Sequence, residues 1–403
     1  MSRIDDLIRN LCPDGVEFRT LEEIFETRNG YTPSKNDPEA WAGNDVPWFR
    51  MDDIRSRGRI LRDATQRIST SAVKGGRIFS ADSILVATSA TIGEHALVRV
   101  PHLSNQRFTN LAIKDDFRKS FDIKFLFYYC FKLDEWCTKN TTTSSFPSVD
   151  MKGFKKFKFP IPPLEVQQEV AKTLDQFTQL EAELETELEA RRQQYFHYCA
   201  SAFDSATDTE WTTLERVSLK ISSGGTPSSS NSAYYGGDIP WVRSQDVNFN
   251  MISSTSATIS DIGLKNSAAK WIPSNSLIIA MYGASAARAA INTIPVTTNQ
   301  ACCNLQLDTT KVTPGYAYHW IYSQYDKLRS LGEGSQSNLN ARKIKNYPIP
   351  MPSLNEQRRI TEALDKFHSL VNDLSSGLPA EIEARRKQYE YYRDRLLTFP
   401  EKK

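Results

Sequence analysis

Between Arg50 and Arg77 the sequence sets Arg50, Arg55, Arg57, Arg59, Arg62, Arg67, Lys74 and Arg77 against only Asp52, Asp53 and Asp63. Cations at this density suit phosphate neutralisation, which supplies much of the affinity of proteins for DNA. A related stretch, Arg243-Ser244-Gln245-Asp246-Val247-Asn248, followed later by Lys265 and Lys270, carries less charge. Gln245 and Asn248 there are of the side-chain types that bond adenine bidentately. Three pairs of polar loops complete the candidate contact surface. They are Thr32-Pro33-Ser34-Lys35 with Thr226-Pro227-Ser228, Thr88-Ser89-Ala90-Thr91 with Met281-Tyr282-Gly283-Ala284, and Thr142-Thr143-Ser144-Ser145 with Gly334-Ser335-Gln336-Ser337-Asn338. The residues expected to touch DNA are therefore Lys35, Arg50, Arg57, Arg59, Arg62, Lys74, Arg77, Thr88, Ser89, Ser144, Arg243, Gln245, Asn248, Tyr282, Gln336 and Asn338. Trp48 and Trp241 each follow proline in a strand-like setting and are expected in the core.

Bond-making chemistry finds no home in the sequence. There is no Gly-x-x-x-x-Gly-Lys-Ser/Thr phosphate loop, no His-Glu-x-x-His and no Gly-x-Ser-x-Gly elbow. The Asp/Asn-Pro-Pro-aromatic signature of adenine methyltransferases is also missing. Ser223-Gly224-Gly225-Thr226-Pro227 lacks the lysine of a phosphate loop and reads as a turn before a strand. Histidines at 95, 102, 197, 319 and 368 are dispersed, and none of the six cysteines forms a Cys-x-x-Cys pair. Neither a metal nor a cofactor is expected, and the cysteines read as small buried hydrophobes.

The elements that must position these residues come twice. Glu17-Phe18-Arg19-Thr20-Leu21-Glu22 aligns with Glu210-Trp211-Thr212-Thr213-Leu214-Glu215. Gly43-Asn44-Asp45-Val46-Pro47-Trp48-Phe49-Arg50 aligns with Gly236-Gly237-Asp238-Ile239-Pro240-Trp241-Val242-Arg243, both at an offset of 193. Asn105-Gln106 and Asn110-Leu111 match Asn299-Gln300 and Asn304-Leu305. Leu164, Gln167, Leu174, Asp175 and Phe177 return as Leu354, Gln357, Leu364, Asp365 and Phe367, and residues 188–195 return as 382–389. An ordered series of matches at nearly constant offset is the mark of an internal repeat. Similarity is lowest where two modules would read different bases.

Within each copy, short apolar runs near 79–87 and 276–280 predict buried strands, and helices are predicted near Phe121–Trp136 and Tyr316–Leu331. After Pro160-Ile161-Pro162 and Pro348-Ile349-Pro350 the period changes. Val170, Leu174, Phe177, Leu180, Leu184 and Leu188, then Ile360, Leu364, Phe367, Val371, Leu374 and Leu378, recur at spacings of three and four. That is an amphipathic helix with a coiled-coil-like seam, and the two helices are expected to bury their stripes against each other. Pro379 predicts a break in the second helix, with a new segment starting beside it. The fold class is α+β: two mostly-β modules separated by a pair of long antiparallel helices in a pseudo-twofold repeat. The expected boundaries are 1–159, 160–203, 204–347 and 348–403.

Composition agrees with an ordered protein. Of 403 residues, 39% are hydrophobic and 24% charged, close to globular averages. No apolar run reaches the roughly 18 residues of a membrane span, and the first residues lack the apolar core of a secretion signal. A cytoplasmic location is the expectation. The net charge of +2 is low for a stand-alone DNA binder but suits a subunit that shares DNA with larger partners.

In these features the chain resembles the specificity subunit of a type I restriction–modification system. The resemblance covers essentially the whole length. It rests on Cys12-Pro13-Asp14-Gly15-Val16-Glu17-Phe18 and on the duplicated Asp-Val/Ile-Pro-Trp segment. It rests also on Pro160-Ile161-Pro162-Pro163-Leu164 with Pro348-Ile349-Pro350-Met351-Pro352, and on Gly377 to Arg393. The resemblance implies two target recognition domains held apart by antiparallel helices, each reading one half of a split double-stranded DNA sequence. It implies adenine-N6 methyltransferase subunits, two in number, and restriction translocase–nuclease subunits as partners, with no active site in the chain itself. The four extra residues in the second helical repeat depart from strict equivalence of the helices. Two other readings compete: a specificity subunit of another methylation-based defence assembly, and a non-catalytic coiled-coil scaffold that binds proteins.

Overall fold

The computed structural model describes residues 3–142, 147–204, 209–333, 338–372 and 376–402. The chain divides into two compact units, Met1–Glu181 with Arg385–Lys403, and Ala182–Ala384. Each end of the helix Leu164–Asp204 thus belongs to a different unit.

The first unit contains β1 (Glu17–Thr20), β2 (Phe25–Asn29), β3 (Val46–Phe49), β4 (Ile60–Leu61), β5 (Arg67–Ile68), β6 (Ser83–Ala87), β7 (His95–Val98), β8 (Leu103–Ser104), β9 (Phe108–Ile113) and β10 (Lys158–Ile161). The second contains β11 (Trp211–Thr213), β12 (Ser218–Ser223), β13 (Tyr235–Val242), β14 (Asn250–Ile252), β15 (Thr258–Ile259), β16 (Leu277–Ala280), β17 (Ala289–Asn292), β18 (Thr297–Thr298), β19 (Cys302–Leu307) and β20 (Pro348–Pro350). Their sheets correspond strand for strand. The order β2-β9-β6-β7-β4 in one unit is β12-β19-β16-β17-β14 in the other, β5-β3-β8 is β15-β13-β18, and β1-β10 is β11-β20. The sequence repeat is therefore a repeat of topology.

The apolar runs are continuous because the large sheets are covered on both faces. Successive side chains of a strand point to opposite sides. Ile84 and Val86 join the core built on the helix Ile123–Lys139, whereas Leu85 and Ala87 join a second core with Trp48, Phe49 and Ile68. Leu277 and Ile279 divide from Ile278 and Ala280 in the same way. Both predicted helices exist, but the second breaks at Gln324 into Pro314–Ser323 and Tyr325–Ser330. Residues 224–228 form a loop after strand β12 and not a turn leading straight into a strand, since the next strand starts at Tyr235.

The helical stripes differ from expectation. Val166, Val170 and Leu174 are fully buried, but in the same core as Phe125 and Phe159 of the first module. Leu180, in mid-helix, is 37% exposed. Helix-to-helix packing is carried largely by aromatic rings instead. In the first unit Phe177 stacks on Tyr392 at 5.5 Å, and Arg386 pairs with Glu181 at 2.5 Å. In the second unit Tyr198 stacks on Phe367 at 4.9 Å, while Tyr195, Cys199 and Phe203 share a core with Ile360, Leu364 and Val371. In both units the packed helices run antiparallel. A helix does break ahead of Pro379: one segment is Leu354–Asn372 and the next starts at Leu378.

Candidate nucleic-acid interface

Strand pairing gathers five connections of the first unit at one end of its large sheet. Asn29, where β2 ends, faces Thr109 near the start of β9, and Ala87, where β6 ends, faces Phe108. β3 and β8 run parallel and end together at Phe49 and Ser104, and the Asn105 N–H donates to the Phe49 carbonyl at 3.1 Å. The segments after β2, β3 and β6, the segment 105–107 and the segment near Ser148 therefore converge. The last is tied in by the Val149 N–H, which donates to the Thr88 carbonyl at 2.9 Å.

The second unit repeats this hub. Ser223 faces Cys303, Ala280 faces Cys302, and Asn299 N–H donates to the Val242 carbonyl at 2.9 Å. Leu339 N–H donates to the Met281 carbonyl at 2.8 Å. At the centre of each hub the threonine of a Thr-Pro pair donates to a glutamine: Thr32 to Gln106 Oε1 and Thr226 to Gln300 Oε1. Both glutamines are exposed, and engagement of the oxygen leaves the NH₂ as the part of the amide that can donate to a ligand. The indole N–H of Trp48 donates to the Tyr31 carbonyl at 2.9 Å, and that of Trp241 to the Gly225 carbonyl at 3.1 Å. Both tryptophans are core residues, 4% and 6% exposed. Glycine is required just before each Thr-Pro loop, since a Cβ on Gly30 would lie 2.2 Å from the Asn105 carbonyl oxygen and one on Gly224 1.9 Å from that of Thr298.

A carboxylate closes the turn that carries each hub arginine, buried in the case of Asp53 and half-buried in the case of Asp246. Asp53 accepts from the N–H groups of Arg50 at 2.8 Å and Thr65 at 2.7 Å. Asp246 accepts from Arg243 N–H at 2.9 Å and from the Ser256 hydroxyl at 2.8 Å. Such a site, a rigid rim of polar side chains on strand ends, can bind and discriminate.

Comparison with known proteins identifies what uses this design. The profile of the type I restriction modification DNA specificity domain matches residues 13–190 and again 213–384. The chain belongs to this family. It carries this specificity domain twice, once in each half of its internal repeat. It is 57% identical over 190 residues to the EcoprrI specificity subunit of Escherichia coli, covering 45% of this chain and 47% of that one. The chain thus aligns with about half the length of that relative. It is 36% identical over 281 residues to the EcoR124I/EcoR124II specificity subunit of Escherichia coli, covering 65% and 69%. A chain from a structure titled for complex assembly and conformational transition of the type I R-M system shares the fold, with TM-score 0.62 and 16% identity over 96% of this chain and 98% of that one.

Against this family fold the sequence-derived candidates separate. Lys35, Gln245 and Tyr282 are exposed on hub loops. Arg50 and Arg243 are half-buried there, with the Arg50 guanidinium 5.8 Å from the Trp48 ring centre and Arg243 Nη2 donating to Ser256 at 2.9 Å. Lys74 is exposed beside the Tyr31 ring at 5.0 Å, and Arg77 is exposed. Arg57 is exposed at the end of the helix Met51–Arg57, and Arg62 is exposed beyond β4, at the end of that strand away from Arg59. Asn248 is exposed, but its Oδ1 accepts from Arg288 at 2.6 Å. Ser89 forms a β-bridge with Ser148, and Asn338 one with Glu333.

Two candidates are turned inward. Arg59 pairs with the buried Asp134 at 3.5 Å, donates to the His95 carbonyl at 3.2 Å and lies over the Phe131 ring at 5.0 Å. Thr88 is buried and its hydroxyl bonds Thr109 at 2.9 Å. Ser144 and Gln336 lie outside the described residues. Gln106 and Gln300 were absent from the candidates, although their duplication as Asn-Gln was the available signal.

All six cysteines are free and buried, and burial raises each thiol, Cys302 and Cys303 to about 12. Among the described residues no group of three or more His, Cys, Asp or Glu could hold a metal, and no helix is long and apolar enough to cross a membrane.

Proposed function

We propose that the two hubs each read one half of a bipartite double-stranded DNA target. On this reading the chain directs adenine-N6 methylation and restriction carried out by partner subunits, and performs no chemistry itself. The observation that supports it is the duplicated hub: identical Thr–Gln, Trp and Asp anchors hold loops whose outward residues differ between copies. A scaffold for a single protein partner gives no reason for such divergence at one rim. Two methyltransferase subunits would attach through the helices, and translocase–nuclease subunits would complete a restricting complex.

The test is adenine methylation mapped in cells that carry the chain with its methyltransferase partners. Exchanging residues 17–159 for those of a relative should change one half of the methylated sequence and leave the other. A hybrid that alters both halves overturns independent reading. Methyl transfer from S-adenosylmethionine by the purified chain alone overturns the non-catalytic part.

A further inference from the structure

One position at the margin of each hub combines features that neither phosphate contact nor core packing explains. In the first unit the residues are Arg77-Ile78-Phe79, in the second Lys270-Trp271-Ile272, at the repeat offset of 193. The third residue of each triplet is buried, Phe79 at 3% and Ile272 at 5% exposure. Each is clamped by a pair of backbone bonds. Phe79 and His102 exchange bonds of 2.8 and 3.1 Å, and Ile272 and Val296 bonds of 2.7 and 3.1 Å. These bridges are antiparallel, so the preceding residues run alongside β8 and β18 toward Asn105 and Asn299.

The middle residue projects from this fixed backbone into solvent. Ile78 is 38% exposed and Trp271 is 50% exposed. The cation before each is exposed too. The segment leading to Trp271 abuts the Thr-Pro loop of its hub, where a Cβ on Gly225 would lie 2.5 Å from the backbone of Ala268 and Ala269. A large apolar side chain left in water beside a backbone bridge forgoes burial worth about 25 cal/mol per Å². Two copies of the module leave one at the same place, and choose different side chains for it.

We propose that Ile78 and Trp271 are equivalent apolar base contacts, each pressed against a base step of its own half-site. The preceding Arg77 or Lys270 holds the neighbouring phosphate. This deepens the recognition reading above and rests on it. Apolar side chains read the thymine methyl group or wedge against stacked bases, whereas cations on phosphate carry no sequence information. The difference between isoleucine and tryptophan then makes the position a determinant of specificity.

The experiment uses the full chain assembled with its methyltransferase partners and a short duplex carrying the methylated sequence mapped from cells. Companion duplexes have one or the other half-site scrambled. Trp271→Ala should weaken binding to the intact duplex roughly tenfold, as expected for one lost base contact. The same substitution should have no effect once the second half-site is scrambled. Ile78→Ala should weaken binding less, and lose its effect only when the first half-site is scrambled. Trp271→Phe should retain most of the affinity, and Lys270→Ala should flatten the salt dependence without altering sequence preference. Unchanged binding by Trp271→Ala, while the unsubstituted complex still tells intact from scrambled duplex, overturns the contact alone. An unsubstituted complex that does not discriminate overturns the recognition reading and the contact with it.

Discussion

Gln167 and Gln357, 190 residues apart in sequence, make the same three hydrogen bonds in their respective units. Each Oε1 accepts a backbone N–H at 2.9 Å, from Asp122 in one case and Thr313 in the other. The Gln167 NH₂ donates to the carbonyls of Ser120 at 2.8 Å and Pro162 at 2.7 Å. The Gln357 NH₂ donates to those of Lys311 at 2.9 Å and Pro352 at 3.0 Å. Both side chains are fully buried. They pin the first turn of a long helix to its module, so the helix cannot swivel about the Pro-Ile-Pro strand. Gln167→Ala strands one buried donor and two acceptors, and should cost roughly 2–3 kcal/mol, as for other buried polar groups left unpaired. Gln357→Ala should do the same in its own unit. The midpoint of denaturant unfolding reads both, and an unmoved midpoint removes the latch from the argument.

Arg59 and Arg57 stand two residues apart and should behave oppositely. Arg59 is committed to Asp134, His95 and Phe131. Removing it leaves the buried carboxylate, among the described residues, with the His95 imidazole, whose Nδ1 lies 2.6 Å away. Arg59→Ala should therefore lower stability and leave the salt dependence of DNA binding unchanged. If Arg57 touches a phosphate, Arg57→Ala should keep stability and reduce the slope of log affinity against log salt by about 0.9. The two observables exchanged between the variants would refute the assignment.

Acid sensitivity of the first unit should trace in part to His102. Burial lowers its imidazole to about 4, although the Val100 carbonyl pulls the other way. The ring is fully buried and packs edge-on against Phe49 and Phe79. Because the folded value lies below the unfolded value of 6.5, the unfolded chain takes up the proton first. Stability is complete above about pH 6.5 and falls as pH drops toward 4, by roughly 3 kcal/mol for a shift of this size. His102→Phe should flatten the stability profile in that window relative to the unsubstituted chain. Superimposable profiles between pH 4 and 6.5 would show that His102 is not the titrating group.

How much of this was legible beforehand follows from what repeats. Gln167 and Asp175 recur as Gln357 and Asp365, so the sequence already marked them as equivalent. Their partners could not be read, because Asp122 and Thr313 are unlike residues that both offer only a backbone N–H. Trp48 and Trp241 were placed in the core correctly, since a strand covered on both faces buries its ring whichever way it points. The basic run misled at Arg59: composition cannot distinguish a solvated arginine from one turned onto Asp134, 75 residues further along the chain. The helical seam was legible in part: Ile360, Leu364 and Val371 share a core with Tyr195, Cys199 and Phe203 of the other helix, but the start of the first stripe has a different partner. A stripe at spacings of three and four records a buried face but not its partner, and Val170 and Leu174 found the module core.

The Thr32–Gln106 and Thr226–Gln300 pairs make the sharpest contrast with the divergent rim. Both modules hold the same threonine, the same glutamine and the same bond. A feature shared by two readers of different sequences cannot be what distinguishes those sequences. Each glutamine NH₂ is therefore expected to donate to a phosphate or sugar oxygen, fixing register, while Lys35, Ile78 and Trp271 vary around it. Gln106→Ala and Gln300→Ala should each weaken DNA binding by a similar factor, about tenfold or less for one neutral hydrogen bond. The methylated sequence mapped from cells should stay the same in both variants. Thr32→Ala and Thr226→Ala should show weaker versions of these losses, because they free the amide without removing it. A methylation map that relaxes at one base of one half-site in Gln300→Ala would make the glutamine a base reader and reverse this assignment.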